Sequence, residues 1–282
     1  MSEFLDVAIK AAREAGSVLK EKFGKVGYQE KGPADLVTEA DVMAQRRVEE
    51  ILLDAFPDHY ILGEESQGKT PTFGAGKDAG EASDRMLAEP CCGSGAPTGL
   101  PYTWIVDPLD GTTNFVHGVP FFCTSIGLAR GNDILCGVIF DPNNDELYYM
   151  EKGRGAYLNG RRLKTSAETA PTHALTSISF ATRTNFNSPD YLVFQKCVPV
   201  CQAMRRTGST ALNLAYVAAG RFDAMSCQSA HPWDVAAGIG LVLEAGGVAT
   251  NTDGSPYDLA RQPLLATANP TLHQAFYNLL NN

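Results

Sequence analysis

The chain has 282 residues, 44% of them hydrophobic and 20% charged, with 23 basic against 32 acidic side chains and a net charge of −9. That length suits one large domain or two intimately packed halves with an ordinary globular composition. The acidic balance argues against nucleic-acid binding through a broad basic face, and no apolar run approaches the ~20 residues that span a bilayer. The first residues, Met1-Ser-Glu-Phe-Leu-Asp6, carry acids and no basic n-region, so a cytoplasmic rather than secreted protein is expected. Residues 3–23 then show helical periodicity through Leu5, Ala8, Ala12, Ala15 and Leu19, with Gly24 as a stop. Thr38-Glu-Ala-Asp41 reads as a capping box opening a second helix that runs to about Phe56, before Pro57. Tyr60-Ile-Leu is a short predicted strand that ends at Gly63-Glu64-Glu65-Ser66.

Residues 67–101 break the pattern. Seven glycines, four prolines and no sustained periodicity mark them as an insertion, a lid or a surface excursion. Beyond them the chain turns strand-rich, with predicted strands at Trp104–Val106, Phe121–Ala129, Ile134–Phe140 and Glu146–Met150. A further strand closes in the Asn159-Gly160 turn. The last third alternates. Strands are predicted at Ala174–Phe180, Ala203–Arg206, Phe222–Ser226 and Val248–Thr250. Helices are predicted at Tyr191–Cys197, from Gly208-Ser209-Thr210 to Ala219, from Pro232-Trp233-Asp234 to Ala245, and over 269–281. Two linked α/β halves fit this order better than a simple doubly wound sheet. The seven cysteines (91, 92, 123, 136, 197, 201 and 227) are too scattered for a disulfide framework. Neither Cys91-Cys92 nor Cys197-x-x-x-Cys201 has the matching second pair of a zinc site.

The chemistry concentrates in Trp104-Ile-Val-Asp107-Pro-Leu-Asp110-Gly111-Thr112-Thr113-Asn114-Phe115. A strand here delivers two acids to its end, and Gly-Thr-Thr opens the next segment with free backbone N–H groups. Carboxylates take hard cations, and such N–H groups take phosphate. Glu64 ends another strand and Asp234 lies in the first turn of a helix, positions from which all four acids can converge on one cleft. Each acid alone reads as an ordinary turn or helix-start residue; their joint occurrence points to metal-assisted attack on a phosphorylated substrate. Haloacid-dehalogenase-type phosphatases carry a related run with Asp-x-Asp spacing, whose first acid is the nucleophile. The Asp107-x-x-Asp110 spacing here favours water instead.

These motifs, with Trp233-Asp234-Val-Ala-Ala-Gly238, resemble the inositol monophosphatase family of Mg²⁺-dependent, Li⁺-sensitive phosphatases over nearly the whole chain outside 67–101. The resemblance implies a layered α-β-α-β-α sandwich, one domain over 1–282, and a homodimer. It implies metal ligands at Glu64, Asp107, the Leu109 carbonyl, Asp110 and Asp234. Glu64 and Thr112 would activate water, the N–H groups of Gly111 and Thr112 would hold phosphate, and Asp110 would also touch a substrate hydroxyl. Asp234, Ser209 and Thr210 join Asp110 among the expected substrate contacts. Glu65 is placed behind the metals, and Lys31 and Asp41 at the rim and beneath Thr112. His117 is expected in a packing or hydrogen-bonding role, and Arg205 and Arg206 at the substrate, a subunit contact or a cap.

One position departs from that pattern. Inositol-specific members carry a glutamate seven residues before the aspartate matched by Asp234, and this chain has Cys227 there. Losing one charged acceptor costs ~1.5–3 kcal/mol of polyol recognition. The resemblance makes inositol 1-phosphate the expected substrate, and the altered position makes histidinol phosphate, fructose 1,6-bisphosphate or another small sugar or nucleotide phosphate the alternatives. A regulatory binding protein on a phosphatase scaffold is the alternative of another class.

Overall fold

The computed structural model describes residues 1–25, 27–32, 35–66, 101–181, 183–261 and 263–281. The Gly/Pro-rich stretch from 67 to 100, with Cys91 and Cys92, and the side chain of Lys31 lie outside them.

Two helices open the chain. Helix α1 (Glu3–Lys22) starts at Ser2, whose side chain accepts from the Leu5 amide. After a hairpin of β1 (Tyr28–Gly32) and β2 (Asp35–Thr38), α2 (Glu39–Ala55) starts at the Thr38/Asp41 capping box. Their apolar stripes, Leu5, Ala8, Ala12, Ala15 and Leu19 on α1 and Ala40, Ala44, Val48 and Leu52 on α2, are buried against one face of the first sheet.

That sheet has seven strands in sequential order: β3 (Tyr60–Gly63), β4 (Thr103–Asp110), β5 (Cys123–Arg130), β6 (Asp133–Asp141), β7 (Glu146–Glu151), β8 (Gly155–Leu158) and β9 (Arg161–Arg162). Only β3 and β4 pair in parallel. A short helix, α3 (Thr112–Val116), follows β4.

The second sheet has five strands, in the order β11 (Ala203–Arg205), β10 (Leu175–Ser179), β12 (Ala224–Cys227), β14 (Leu264–Thr267), β13 (Val248–Thr250). Its β10–β11 and β10–β12 pairs are parallel, whereas β14 runs antiparallel to both neighbours. Helices α5 (Thr210–Ala218) and α6 (Pro232–Glu244) fill the space between the sheets, where Leu212, Ala215, Val235 and Ile239 pack with Ile139 and Tyr148 of the first sheet and Met225 and Leu264 of the second. Helices α4 (Pro189–Cys197) and α7 (Pro270–Asn281) cover the outer face of the second sheet through Cys197, Leu272 and Phe276. The order of layers is thus α-β-α-β-α, with seven helices among the described residues.

Helix α6 lies unusually close to the first sheet. A Cβ on Gly137 of β6 would stand 2.9 Å from the Ala237 Cα, so only glycine permits the approach. That seat holds the start of α6, and with it Asp234, beside the end of β4.

Candidate active site

Strand β4 carries the acids within its own ladder. Asp107 pairs with Ser125 and Asp110 with Cys123, so three steps on β4 face two on β5. The extra residue makes a bulge at Pro108-Leu109, where proline has no N–H to give the ladder. The predicted strand stopped at Val106; the observed one continues to Asp110 because the bulge re-enters the pairing. Inside it, the Leu109 amide donates to Asp107 Oδ1 at 3.0 Å, and the Thr124 hydroxyl donates to the Pro108 carbonyl at 3.0 Å.

Gly111 then turns the chain with φ of +100°, in the left-handed region, and serves as the N-cap of α3. A side chain there would also press within 3.0 Å of the Phe121 carbonyl. Thr112 follows in the first turn. Its Oγ1 lies 3.0 Å from the Leu109 carbonyl and 3.2 Å from Asp41 Oδ1. Asp41 is fully buried, and its other oxygen accepts the Thr38 amide at 2.8 Å and hydroxyl at 2.6 Å. The capping box of α2 thereby aims a carboxylate at Thr112.

Glu64 begins a 3-10 turn directly after β3, and β3 runs beside β4 with Gly63 opposite Val106. This brings Glu64 into hydrogen-bonding contact with Asp107. Asp234 arrives from the other side, in the first turn of α6, where its Oδ2 accepts the His231 amide at 2.8 Å. The Ser125 hydroxyl donates to the Trp233 carbonyl at 3.3 Å, tying that turn to β5.

The four acids act on one another electrostatically. Burial, then the neighbouring Glu64, Asp110 and Asp234, push the Asp107 carboxyl well above the usual carboxylate range. Asp234 is pushed well up by burial and by Asp110 and Glu64. Asp110 is pushed up to about 6 by burial, against the pull of hydrogen bonds from Ser209 and the Ala211 and Thr210 amides. Among the described residues, the main groups acting on these three aspartates are neighbouring carboxylates and hydrogen-bond donors. A buried set of like charges is the arrangement a divalent cation relieves.

The donors fit a hard cation: carboxylate oxygens and the Leu109 carbonyl. Among the described residues no three His, Cys, Asp or Glu side chains form a ready-made metal cage. Mg²⁺ uses one or two carboxylates and fills its remaining positions with water and phosphate oxygens, so an open donor set suits it.

The second sheet completes the surroundings. Ser209 is the N-cap of α5, only 1% exposed, and its hydroxyl donates to Asp110 Oδ2 at 2.6 Å. It was expected to contact substrate, but its proton is already committed to Asp110. Thr210, half-buried, reaches Ser179 Oγ at 2.9 Å. Cys227 ends β12 opposite Ser179 on β10; it is buried, and burial lifts its thiol to about 12. The turn beyond it is held by Asp190 of α4, which accepts the Gln228 amide at 2.7 Å and the Ser229 hydroxyl at 3.1 Å.

The remaining candidates scatter. His117 is the exposed C-cap of α3, Arg205 is exposed with its guanidinium on the Met204 carbonyl, and Arg206 stacks over the Phe180 ring at 5.0 Å. Sequence spacing missed Asn114 and Cys123. Asn114 Nδ2 donates to the carbonyls of Phe121 at 2.7 Å and Thr207 at 2.9 Å; Cys123 Sγ lies 4.0 Å from Asp110 Oδ2. No local pattern signals a contact between residues 93 positions apart.

The inositol monophosphatase family model matches residues 1–282. The chain belongs to the inositol monophosphatase family. It is 40% identical over 285 residues to inositol monophosphatase 2 of Solanum lycopersicum, covering 100% of this chain and 99% of the relative. It is 36% identical over 277 residues to the fructose-1,6-bisphosphatase/inositol-1-monophosphatase of Aquifex aeolicus, covering 97% and 93%. The crystal structure of extragenic suppressor protein suhB from Bartonella henselae superposes with a TM-score of 0.85 at 33% identity, covering 100% of this chain and 99% of that one. The family is one of metal-dependent phosphatases, and this member is a phosphoric monoester hydrolase. No helix among the described residues is long and apolar enough to cross a membrane.

Proposed function

We propose that the protein is a Mg²⁺-dependent phosphatase that hydrolyses inositol 1-phosphate to inositol and phosphate with water as the nucleophile. The observation that carries this reading is the convergence of Glu64, Asp107, Asp110 and Asp234, three of them buried aspartates whose carboxyls are pushed up by burial or by one another. Glu64, Asp107, the Leu109 carbonyl, Asp110 and Asp234 would hold Mg²⁺. When bound, Mg²⁺ supplies positive charge for the phosphoryl oxygens and the departing alkoxide, and lowers the pKa of water at the site.

The chain's own groups then divide the work. Glu64 accepts the proton of the attacking water, and Thr112 orients that water through its hydroxyl, itself aimed by Asp41. The amides of Gly111 and Thr112, at the left-handed turn that opens α3, hold phosphate oxygens. Asp110 and Asp234 reach the alcohol, and Thr210 at the head of α5 lines its far side. Ser209, turned inward, supports Asp110. The working assembly is a homodimer of one-domain subunits in the cytoplasm, with the dimer testable by sedimentation.

A specific observation favours a second reading of the alcohol. Cys227 is apolar and buried where an inositol-specific enzyme presents a carboxylate. The same machinery acting on histidinol phosphate or another small sugar or nucleotide phosphate follows if that site does not grip a polyol. Phosphate release from a panel of phosphomonoesters, with Mg²⁺ and with or without Li⁺, tests both readings. Turnover should require Mg²⁺ and fall at least about 100-fold in Asp107→Asn. Full activity in that variant would overturn the proposed site. A preference for inositol 1-phosphate below tenfold in kcat/KM would move the assignment to the second alcohol.

A further inference from the structure

Three groups converge on one oxygen of Asp110. The Ser209 hydroxyl donates to Oδ2 at 2.6 Å, the Ala211 amide donates to the same atom at 2.6 Å, and the Cys123 thiol lies 4.0 Å away. Ser209 Oγ also accepts the Leu212 amide at 3.2 Å. Its lone pair thus caps α5 while its proton goes to a carboxylate 99 residues away, on the other sheet. A cap needs only the acceptor; the proton's destination calls for a second explanation.

The segment that carries Ser209 is fixed from the opposite side by the phosphatase motif itself. Asn114 donates to the Thr207 carbonyl at 2.9 Å and to the Phe121 carbonyl at 2.7 Å. Gly208, with φ of +92°, lies so close that a Cβ would stand 2.8 Å from Asn114 Nδ2. Thr207 in turn donates to Asn213 Oδ1 at 2.7 Å, closing the turn onto α5.

We propose that Asn114 and Ser209 are positioning residues for the cation site: Asn114 clamps the 207–208 turn to α3, and Ser209, so placed, holds Oδ2 of Asp110 and leaves Oδ1 as the oxygen that takes the cation. This rests on the reading of Asp110 as a cation ligand given above. A carboxylate with one oxygen engaged by a hydroxyl and an amide has a fixed rotamer and a monodentate offer, and such outer partners typically govern metal affinity by 10–100-fold. The assignment differs from a substrate contact, because Ser209 has no exposed face and its proton is taken.

Ser209→Ala, Ser209→Thr and Asn114→Ala, compared with the unaltered protein, test it. Mg²⁺ binding is measured by calorimetry without substrate. Steady-state kinetics use inositol 1-phosphate and p-nitrophenyl phosphate, which has no polyol. Thermal melts report folding. Ser209→Ala should weaken Mg²⁺ binding about tenfold or more and lower kcat on both substrates alike. Ser209→Thr, which keeps the hydroxyl, should stay within about threefold, and Asn114→Ala should weaken Mg²⁺ binding in the same direction. Unchanged Mg²⁺ affinity in folded Ser209→Ala overturns the assignment, as does a loss confined to KM for inositol 1-phosphate. If Ser209→Ala does not fold, folded Asn114→Ala decides, and unchanged Mg²⁺ affinity there overturns it. Failure of the unaltered protein to bind Mg²⁺ or to show cation-dependent turnover overturns the functional reading itself, whereas normal wild-type behaviour with an indifferent Ser209→Ala removes only this inference.

Discussion

A carboxylate bonded through one oxygen keeps the other for chemistry, and the residues around Asp110 are arranged in that way. Charge at the site comes from four acids, but their usefulness depends on neutral neighbours: Thr112 beside Asp41, Ser209 beside Asp110, and the His231 amide on Asp234. Cys227 belongs to the same scale. Its thiol is protonated at every physiological pH, since burial lifts it to about 12, so it offers a polyol no negative acceptor. Cys227→Glu should raise kcat/KM for inositol 1-phosphate by about 10–100-fold relative to p-nitrophenyl phosphate, the equivalent of ~1.5–3 kcal/mol for one charged hydrogen bond. A competition assay with both substrates reads that ratio; a drop in both rates would place residue 227 away from the alcohol.

Among the elements, α6 and its glycine seat decide whether Asp234 meets β4. Gly137→Ala puts a methyl into the backbone of Ala237 and should cost about 1–3 kcal/mol of stability by overpacking. Urea denaturation measures it, and an unchanged midpoint would show that α6 can shift without cost. Most elements are legible in the sequence. The apolar spacing of α1, the Thr38/Asp41 box and the Pro232 start of α6 each carry a local cause. The β1–β2 hairpin was missed because Tyr28-Gln-Glu-Lys-Gly32 has neither alternation nor an apolar face. Strand β14 was missed because Leu264-Leu-Ala-Thr267 is buried throughout and too short to show a period. The short helix α3 has no signal in the sequence, since its five residues hold little more than one helical repeat.

For the whole molecule, gathering the acids carries a pH-dependent cost. A carboxyl whose folded pKa lies above its unfolded value binds protons more tightly in the native state, so stability falls as pH rises through the interval between them. For Asp110 that interval runs from the ordinary aspartate value of 3.8 to about 6 without a cation. Asp107 and Asp234 shift the same way and add to the effect. Added Mg²⁺ should therefore raise Tm more at pH 7.5 than at pH 5, where protons already occupy the site. Calorimetric scans at the two pH values check this, and an equal Mg²⁺ effect at both would separate cation binding from these carboxyls. His59, its ring between Phe56 and Tyr102, has its pKa lowered by burial and gives the opposite slope: its contribution is present above about pH 6.5 and lost as pH falls below that.

The run from Trp104 to Phe115, together with Glu64 and Asp234, made the reaction class legible in the sequence, because the acids, the left-handed glycine and the threonine act through chain-local geometry: a bulge, a turn and a first helical residue. The same run also carries Asn114, whose partner lies on a distant turn, and no spacing rule could assign it. What held Asp110, what turned Ser209 inward and how near α6 came to the sheet were decided only when two sheets closed around α5 and α6. Hydrogen bonds and close approaches between remote segments depend on packing that local sequence does not encode.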